Sequence, residues 1–267
     1  MATRTIGFAY DGYVELNQND LTPGGSTTAV NDGWAACRNS ATGSYTRENT
    51  IYDPDAVTVR KWSSAGDGRF QIQRAFFTCN SVGQLYGECV TSAKLRIYGT
   101  TYGSGDLVVV KSNNPWPGGT LSTSSFNIID GWNSSFGPDD LTVYSSEITS
   151  WSTSGYNEIT LNSRAMRDLE KTGGTDFFHI CLMEYDHDYL GVEPFEGSAS
   201  GLLANGNYWY YSTDAHPTTY QAFWPEIVCE TTSGPCGYGN DVNAVVTANI
   251  DKIIGVSTAD IEKVIGS

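Results

Sequence analysis

Short runs of strand-forming residues, separated by turn-forming residues, constrain the fold of this 267-residue chain more than any other feature. In runs such as 70–77, 93–98 and 156–161, apolar side chains recur at near-alternate positions. In an extended chain this spacing places one set of side chains in a core and the other in solvent. Segments rich in Gly, Pro and Asn, such as 113–119, separate the runs. The pattern predicts an all-β fold, an antiparallel β-sandwich or jelly roll.

One segment departs from the strand pattern. Residues 162–171 combine good helix formers with Asn162 or Ser163 as a cap and Gly173 as a stop. The spacing predicts one short helix, which we expect to close one end of the sandwich.

The amino-acid composition of the sequence changes near residues 230–240. Aromatic residues disappear beyond that point, and small and β-branched residues replace them. A β-sandwich of this size can form one domain. The sequence therefore predicts a sandwich domain over 1–230, followed by a linker and a C-terminal tail over 231–267.

The tail repeats a phrase, because residues 250–256 (IDKIIGV) are echoed by 261–267 (IEKVIGS) at a period of eleven. This period is typical of right-handed coiled coils, but a Gly in each unit leaves short helical turns and short strands as alternatives. Either form presents apolar side chains without a local core, which favours association with another copy or with a virion partner. Folding back onto the sandwich is the alternative. The predicted assembly residues are Ile250, Ile253, Ile254, Ile261, Val264 and Ile265, and we expect a homo-oligomer, with a trimer favoured.

The charge balance narrows the range of partners. The net charge is −15, without a cluster of Lys and Arg, which argues against a nucleic-acid partner. The first residues lack the apolar region of a secretory signal, and no stretch reaches the roughly 18 apolar residues of a membrane span. We therefore expect synthesis in a cytoplasm and no membrane partner.

Six cysteines form two closely spaced pairs and two isolated residues. Each short loop can be closed by a disulfide in an oxidising medium, whereas free thiols are the rule in a reducing cytosol. Both states remain open. A zinc site is disfavoured because no Cys-x-x-Cys pair is present. The pairs are Cys79 with Cys89 and Cys229 with Cys236, and the isolated residues are Cys37 and Cys181.

The richest acidic stretch contains Glu184, Asp186 and Asp188. In an extended strand these three side chains share one face. Clustered carboxylates suit Ca²⁺, a cation that prefers oxygen ligands, and a solvated strand end is the alternative. A glycan-cleaving enzyme, which needs two carboxyl groups, would use Glu184 and Asp186.

Aromatic residues near 208–224 keep a binding function open. Tyr208, Tyr210 and Trp224 are candidates for stacking on sugar rings, and a place in the core is their alternative. No nucleophile elbow or phosphate-binding loop accompanies the three histidines, so we predict no catalytic residue. We expect His179 to lie in the core.

Three stretches resemble a known family when they are taken together. They are 74–81 followed by 92–99, then 155–162 before the helix, and 184–189 followed by 192–194. They are similar to motifs of bacteriophage and environmental-virus proteins built on a DNRLRE-type β-sandwich, a fold also used as a carbohydrate-binding module. The resemblance covers roughly 70–200. The DNRLRE string itself is absent, and Cys79-Asn80 stands where the family has Phe-Asp. The repeated tail is similar to phrases that end many phage tail and capsid-associated proteins.

The resemblance implies a non-enzymatic virion structural protein. Such a protein would be a tail fibre, an appendage or a capsid-decoration subunit that self-assembles through its tail and contacts other virion proteins. It would be exposed outside the cell on the virion. A host-surface carbohydrate-binding head is the alternative, and a glycan-cleaving enzyme is the least favoured.

Overall fold

The alternating runs form the strands of an antiparallel sheet in the computed structural model of this chain, which confirms the predicted all-β sandwich class. The structure describes residues 1–19, 30–48, 55–64, 67–79, 85, 87–102, 106–113, 119–133, 140–152, 154–171, 177–194, 203–209, 224–234, 252–253 and 256–257.

In these ranges two α-helices accompany the strands, α1 (Val30–Arg38) and α2 (Ser163–Glu170). The strands are β1 (Ala2–Asn19), β2 (Tyr45–Glu48), β3 (Asp55–Ser64), β4 (Asp67–Cys79), β5 (Glu88–Tyr102), β6 (Leu107–Lys111), β7 (Tyr156–Thr160), β8 (Phe178–Glu184), β9 (Leu203–Trp209), β10 (Glu226–Ser233), β11 (Lys252–Ile253) and β12 (Val256–Ser257).

Ten of these strands belong to one curled sheet that folds into two layers. The first layer has the order β1–β10–β5–β7. Beyond an irregularity at residues 8–10, β1 continues into the second layer, where it pairs with β4 and β2. There β4 also pairs with β3 and β8, β8 pairs with β6, and β9 joins β3 to the end of β5. The long strands β1 and β5 therefore connect the layers.

The first core lies between the two layers. Ile6 of β1, Leu95 of β5 and Ile227 of β10 face Phe77 of β4 and Leu182 of β8, and all five are fully or almost fully buried. Helix α2 closes one end, as predicted, by burying Ala165 and Leu169. Burial of each large apolar side chain contributes roughly 1.5–3 kcal/mol.

A second core covers the outer face of the second layer. It contains Phe70, Ile72 and Phe76 of β4, together with Trp34 and Cys37 of α1. Strands β6 and β8 are buried on both faces, so they contain consecutive apolar residues rather than an alternating pattern.

Helix α1 was not predicted from the sequence. Gly33 and Asn31 lower its intrinsic helix propensity. Its helical form depends on packing instead, because Trp34 contacts Phe70 with ring centroids 5.4 Å apart. The predicted α2 is present, and the Asn162 side chain accepts hydrogen bonds from the amides of Arg164 and Ala165 at 3.0 and 3.1 Å.

The C-terminal part is described only in pieces. Strand β10 continues to Ser233, past the predicted domain boundary at 230. Beyond it, Lys252–Ile253 pairs with Val256–Ser257 as a small antiparallel hairpin. No helix in the described ranges is long and apolar enough to cross a membrane.

Candidate functional site

A buried ion pair lies at the centre of the second core. Arg74 points from the outer face of β4, and its guanidinium binds both carboxylate oxygens of Asp188 at 2.7 and 2.8 Å. Both side chains are fully buried. Two main-chain oxygens, those of Phe126 and Arg38, accept further hydrogen bonds from Arg74 at 2.9 and 3.1 Å. The desolvated charge is therefore compensated by a bidentate partner and by carbonyl dipoles.

Aromatic rings enclose the same guanidinium. The Arg74 Cζ atom lies 4.0 Å from the ring centre of Phe126 and 4.1 Å from that of Trp132. A second cation, Arg38 at the end of α1, donates to the carbonyl oxygens of Asp188 at 2.6 Å and Tyr189 at 3.0 Å. Burial lowers the pKa of Arg38 to about 10. The two arginines therefore join α1, β4 and residues 185–189.

Glu184 determines the shape of the chain after β8. Its Oε2 atom accepts hydrogen bonds from the amides of His187 and Asp188 at 2.6 and 3.1 Å, which caps a π-helical turn over Tyr185–Tyr189. The Glu184 side chain is buried, and its Oε1 atom has no hydrogen-bond partner among the described residues. Burial raises the pKa of Glu184 to about 8.

The expectation that Glu184, Asp186 and Asp188 share one strand face is wrong, because the chain turns at Glu184 rather than continuing extended. Asp188 faces Arg74, Glu184 caps the turn, and Asp186 is half-buried. Within the described ranges, no group of three or more His, Cys, Asp or Glu side chains is arranged to hold a metal ion.

A cleft of about 620 Å³ lies along the edge of the first layer. It is lined by residues 146–152 on one side and by 156–160, which form β7, on the other. Asn157 bonds segment 146–152 at one end, because it accepts from the Ser152 amide at 2.6 Å and donates to the Ser152 carbonyl at 3.0 Å. Just before this segment, the Tyr144 carbonyl accepts a hydrogen bond from the Asn162 amide, which follows β7, at 2.8 Å. The loop and the strand are therefore joined at both ends and leave the cleft between them.

Glycine at position 99 allows this segment to lie against β5. A Cβ atom there would lie 1.9 Å from the Ser152 carbonyl oxygen and 2.6 Å from Trp151 Nε1. Because real Cβ atoms do not approach backbone this closely, a larger residue at Gly99 would displace the wall of the cleft.

The backbone of β7 presents unpaired groups to the cleft. Gly99 donates to the Gly155 carbonyl and Leu161 donates to the Ala93 carbonyl, so alternate residues of β7 bond to β5. The amides and carbonyls of Glu158 and Thr160 therefore point away from β5. In the part of the chain that the structure describes, these groups have no hydrogen-bond partner.

One edge strand of the second layer, β6, is covered, in contrast to β7. Along β6, the amide of Val109 donates to Ser145 Oγ at 3.0 Å, and its carbonyl accepts from the Tyr144 amide at 2.8 Å. Leu107 exchanges both of its bonds with Ile148. Segment 142–148 therefore covers the β6 edge, while no other described segment pairs with the outer edge of β7.

The lining of the cleft is polar and acidic, with aromatic rings at one end. The half-buried rings of Trp151 and Tyr156 line it, and Tyr156 donates its hydroxyl to the Trp224 carbonyl at 3.1 Å. Its charged lining residues, within the described ranges, are Glu147 and Glu158. A hydrogen bond with Asp106 raises the pKa of Glu147, and burial and the charges of Asp106 and Asp186 act in the same direction.

Most of the predicted glycan-binding and assembly residues lie, wholly or by their side chains, outside the residues that the structure describes. The side chain of Tyr208 and the whole of Tyr210 lie outside the described residues, as do the side chain of Ile253 and all of Ile250, Ile254, Ile261, Val264 and Ile265. Trp224 is half-buried, and its carbonyl lies near the cleft. The sequence patterns did not identify Arg74 as a site residue. The signal that it missed is a lone Arg between Ile72 and Phe76 on a buried face, which requires a carboxylate partner.

His179 is half-buried on β8, where its Nδ1 lies 2.8 Å from Thr78 Oγ1 and burial lowers its pKa to about 4. It therefore partly fits the predicted core position. It borders a small cavity of about 160 Å³ in which Asp168 accepts hydrogen bonds from Lys111 and Tyr144.

Neither of the two short loops is closed by a disulfide, because Cys79 and Cys229 are both free. Cys37, Cys79, Cys181 and Cys229 are free and buried. Cys89 is disulfide-bonded to a partner outside the described residues. Burial raises the pKa of the Cys79 and Cys181 thiols well above the ordinary value. It raises the pKa of Cys229 to about 11, so all three thiols stay protonated at neutral pH.

Neither protein-family models nor curated proteins match this chain.

Proposed function

We propose that this chain is a non-enzymatic structural subunit of a bacteriophage virion, a tail fibre, appendage or capsid-decoration protein that acts through contacts with other proteins. One observation carries the proposal, the open edge of β7 beside the cleft of residues 146–152 and 156–160. An open strand edge is a template on which another chain can pair, and proteins that do not use such edges usually cover them. The covered edge of β6 in the same molecule supports the reading that β7 is left open for a partner.

The hydrogen bonds of the buried charged side chains also support a structural role. Arg74, Asp188 and Glu184 are buried and bonded to the backbone of three different segments, so their hydrogen bonds join elements of the fold. Such a centre favours one rigid arrangement of the second core. Rigidity suits a subunit that must persist outside a cell.

A host-glycan-binding head is a second candidate. The observation that favours it is the pairing of Trp151 and Tyr156 with hydroxyl side chains in one cleft, because sugars stack on aromatic rings and hydrogen-bond to polar groups. Both candidates place recognition at the same cleft, and a virion protein can combine them.

The test of the proposed function is where the protein resides. We expect antibodies against the recombinant chain to label purified phage particles in immunogold microscopy, and mass spectrometry to find the chain in particles banded on a density gradient. Particles treated with pre-immune serum are the control. Recovery of the chain only from the particle-free fraction of the lysate would contradict a virion role.

The predicted tail assembly is a separate expectation. A full chain carrying both Ile254→Asp and Ile265→Asp should have the solution mass of a monomer, because charged residues prevent burial of the repeated phrase, whereas the unaltered chain should have about three times that mass. Light scattering at matched concentrations measures both. The control is Val192→Asp, which changes a residue 56% exposed on the sandwich. Equal masses for the double variant and the unaltered chain would refute assembly through the tail.

A further inference from the structure

The open edge of β7 has the hydrogen-bonding geometry to accept one more strand. The outward amides and carbonyls of Glu158 and Thr160 lie two residues apart, which is the repeat of the bonds that an added strand exchanges. Neighbouring strands lie about 4.8 Å apart. The cleft along this edge has a volume of about 620 Å³, within the range of roughly 300–1,000 Å³ that is typical of ligand-binding clefts. An extended segment therefore fits the space beside the strand.

The charges around the edge indicate whether a basic or an acidic segment would bind there. The charged residues that line the cleft in the described ranges are Glu147 and Glu158. Glu158 is paired with Lys94 at 2.7 Å and with Arg96 at 3.5 Å, so the acidic character of the cleft rests on Glu147. Asp106 and Asp186 lie close enough to Glu147 to raise its pKa. This end of the cleft therefore accumulates negative charge, and a basic side chain in the cleft would relieve the repulsion.

We propose that β7 receives an extended, basic segment of a neighbouring protein as an added strand, with its Lys or Arg side chains beside Glu147. The proposal rests on the proposed function in taking that neighbour as another virion protein. Backbone bonds to Glu158 and Thr160 supply the pairing, and the carboxylates select basic residues over acidic ones.

Two other occupants fit the observations less well. A second copy that paired its own β7 here would bring one acidic cleft against another, between chains of net charge −15 each. The repeated tail carries an acid beside each lysine, Asp251 with Lys252 and Glu262 with Lys263, so it offers no net positive charge. Charge complementarity therefore favours a basic partner.

The test uses the full chain and three peptides of about eight residues, a typical strand length. The first peptide alternates Lys with Val and Thr, the second has every Lys replaced by Glu, and the third is the basic peptide methylated on alternate backbone nitrogens. Fluorescence anisotropy measures affinity, and hydrogen exchange followed by NMR reports the amides of Glu158 and Thr160. We expect the basic peptide to bind at least about tenfold more tightly than the acidic one. Backbone methylation should weaken binding of the basic peptide about tenfold, because strand hydrogen bonds are lost.

Amide protection distinguishes an added strand from simple charge attraction. The basic peptide should slow exchange at Glu158 and Thr160, while the β5-facing amides of Asn157 and Ile159 should change little. Glu147→Gln should weaken binding about threefold. The matched control, Glu230→Gln, changes an acid on β10 whose Oε1 accepts from Thr3, and should have no effect.

Thr160→Pro removes an outward amide and should abolish the added pairing, and the methylated peptide makes the same test without altering the protein. Equal binding of the methylated and unmethylated basic peptides would overturn the proposal. So would protection of Glu158 and Thr160 by a peptide of residues 250–256, or by chito- or malto-oligosaccharides, in place of the basic peptide. Absence of the chain from virions would refute the proposed function without affecting these binding results, so the two failures are distinguishable.

Discussion

Replacement of Arg74 by alanine should destabilise the protein by about 3–5 kcal/mol, because it leaves Asp188 as a buried charge without its partner. The change also removes the cation from between the rings of Phe126 and Trp132, and it leaves the carbonyl oxygens of Phe126 and Arg38 without their donor. Urea unfolding followed by tryptophan fluorescence measures the free energy of unfolding. Arg74→Lys should recover only part of the loss, since an ammonium cannot form the bidentate pair.

The matched control for this experiment is Lys94→Ala. Lys94 binds Glu158 at 2.7 Å, but the two side chains are 50% and 47% exposed. An exposed ion pair of this kind contributes at most about 1 kcal/mol. Similar losses for Arg74→Ala and Lys94→Ala would show that the buried centre does not hold the second core together.

Glu184→Gln should remove a pH dependence of stability between about pH 4.5 and about pH 8. The pKa of Glu184 rises from an ordinary 4.5 to about 8 on folding, so in this interval the folded protein holds a proton that the unfolded chain has released. The stability contributed below pH 4.5 is therefore lost as the pH rises through the folded pKa. A neutral amide can still accept bonds from the amides of His187 and Asp188. At pH 9 the free energy of unfolding of the variant should exceed that of the wild type by on the order of 2–4 kcal/mol.

Unfolding free energies from urea titrations at half-unit pH intervals check this expectation. Glu88→Gln is the control of opposite sign, because hydrogen bonds from Arg4 and Thr231 lower the pKa of Glu88 to about 2. The stability that Glu88 contributes is present above its unfolded pKa and is lost as the pH falls toward 2. An unchanged pH profile in Glu184→Gln would mean that Glu184 is not the group that titrates.

The sequence predicted the elements whose signals are local. Alternating side chains indicated the strands, and Asn162 indicated the start of α2, because hydrophobic periodicity and capping depend on residues close together in the chain. It missed α1, whose residues include Gly33 and whose helical form depends on the contact of Trp34 with Phe70 in another element.

The acidic stretch shows the limit of local reasoning most clearly. The letters from Glu184 to Asp188 predict an extended strand with three carboxylates on one face. The structure turns the chain there instead, because Glu184 caps the turn and Asp188 bonds to Arg74, which lies 114 residues earlier. A contact across that separation has no signature in either segment alone.

The open edge of β7 likewise depends on how distant parts of the chain pack together. The sequence by itself determined that residues 156–160 form a strand with Ile159 turned inward, because alternation decides the face of each side chain. Only the tertiary structure decided that β6 is covered by segment 142–148 while β7 is bounded by a cleft, because strand neighbours are selected by how the layers pack and not by the pattern within each strand.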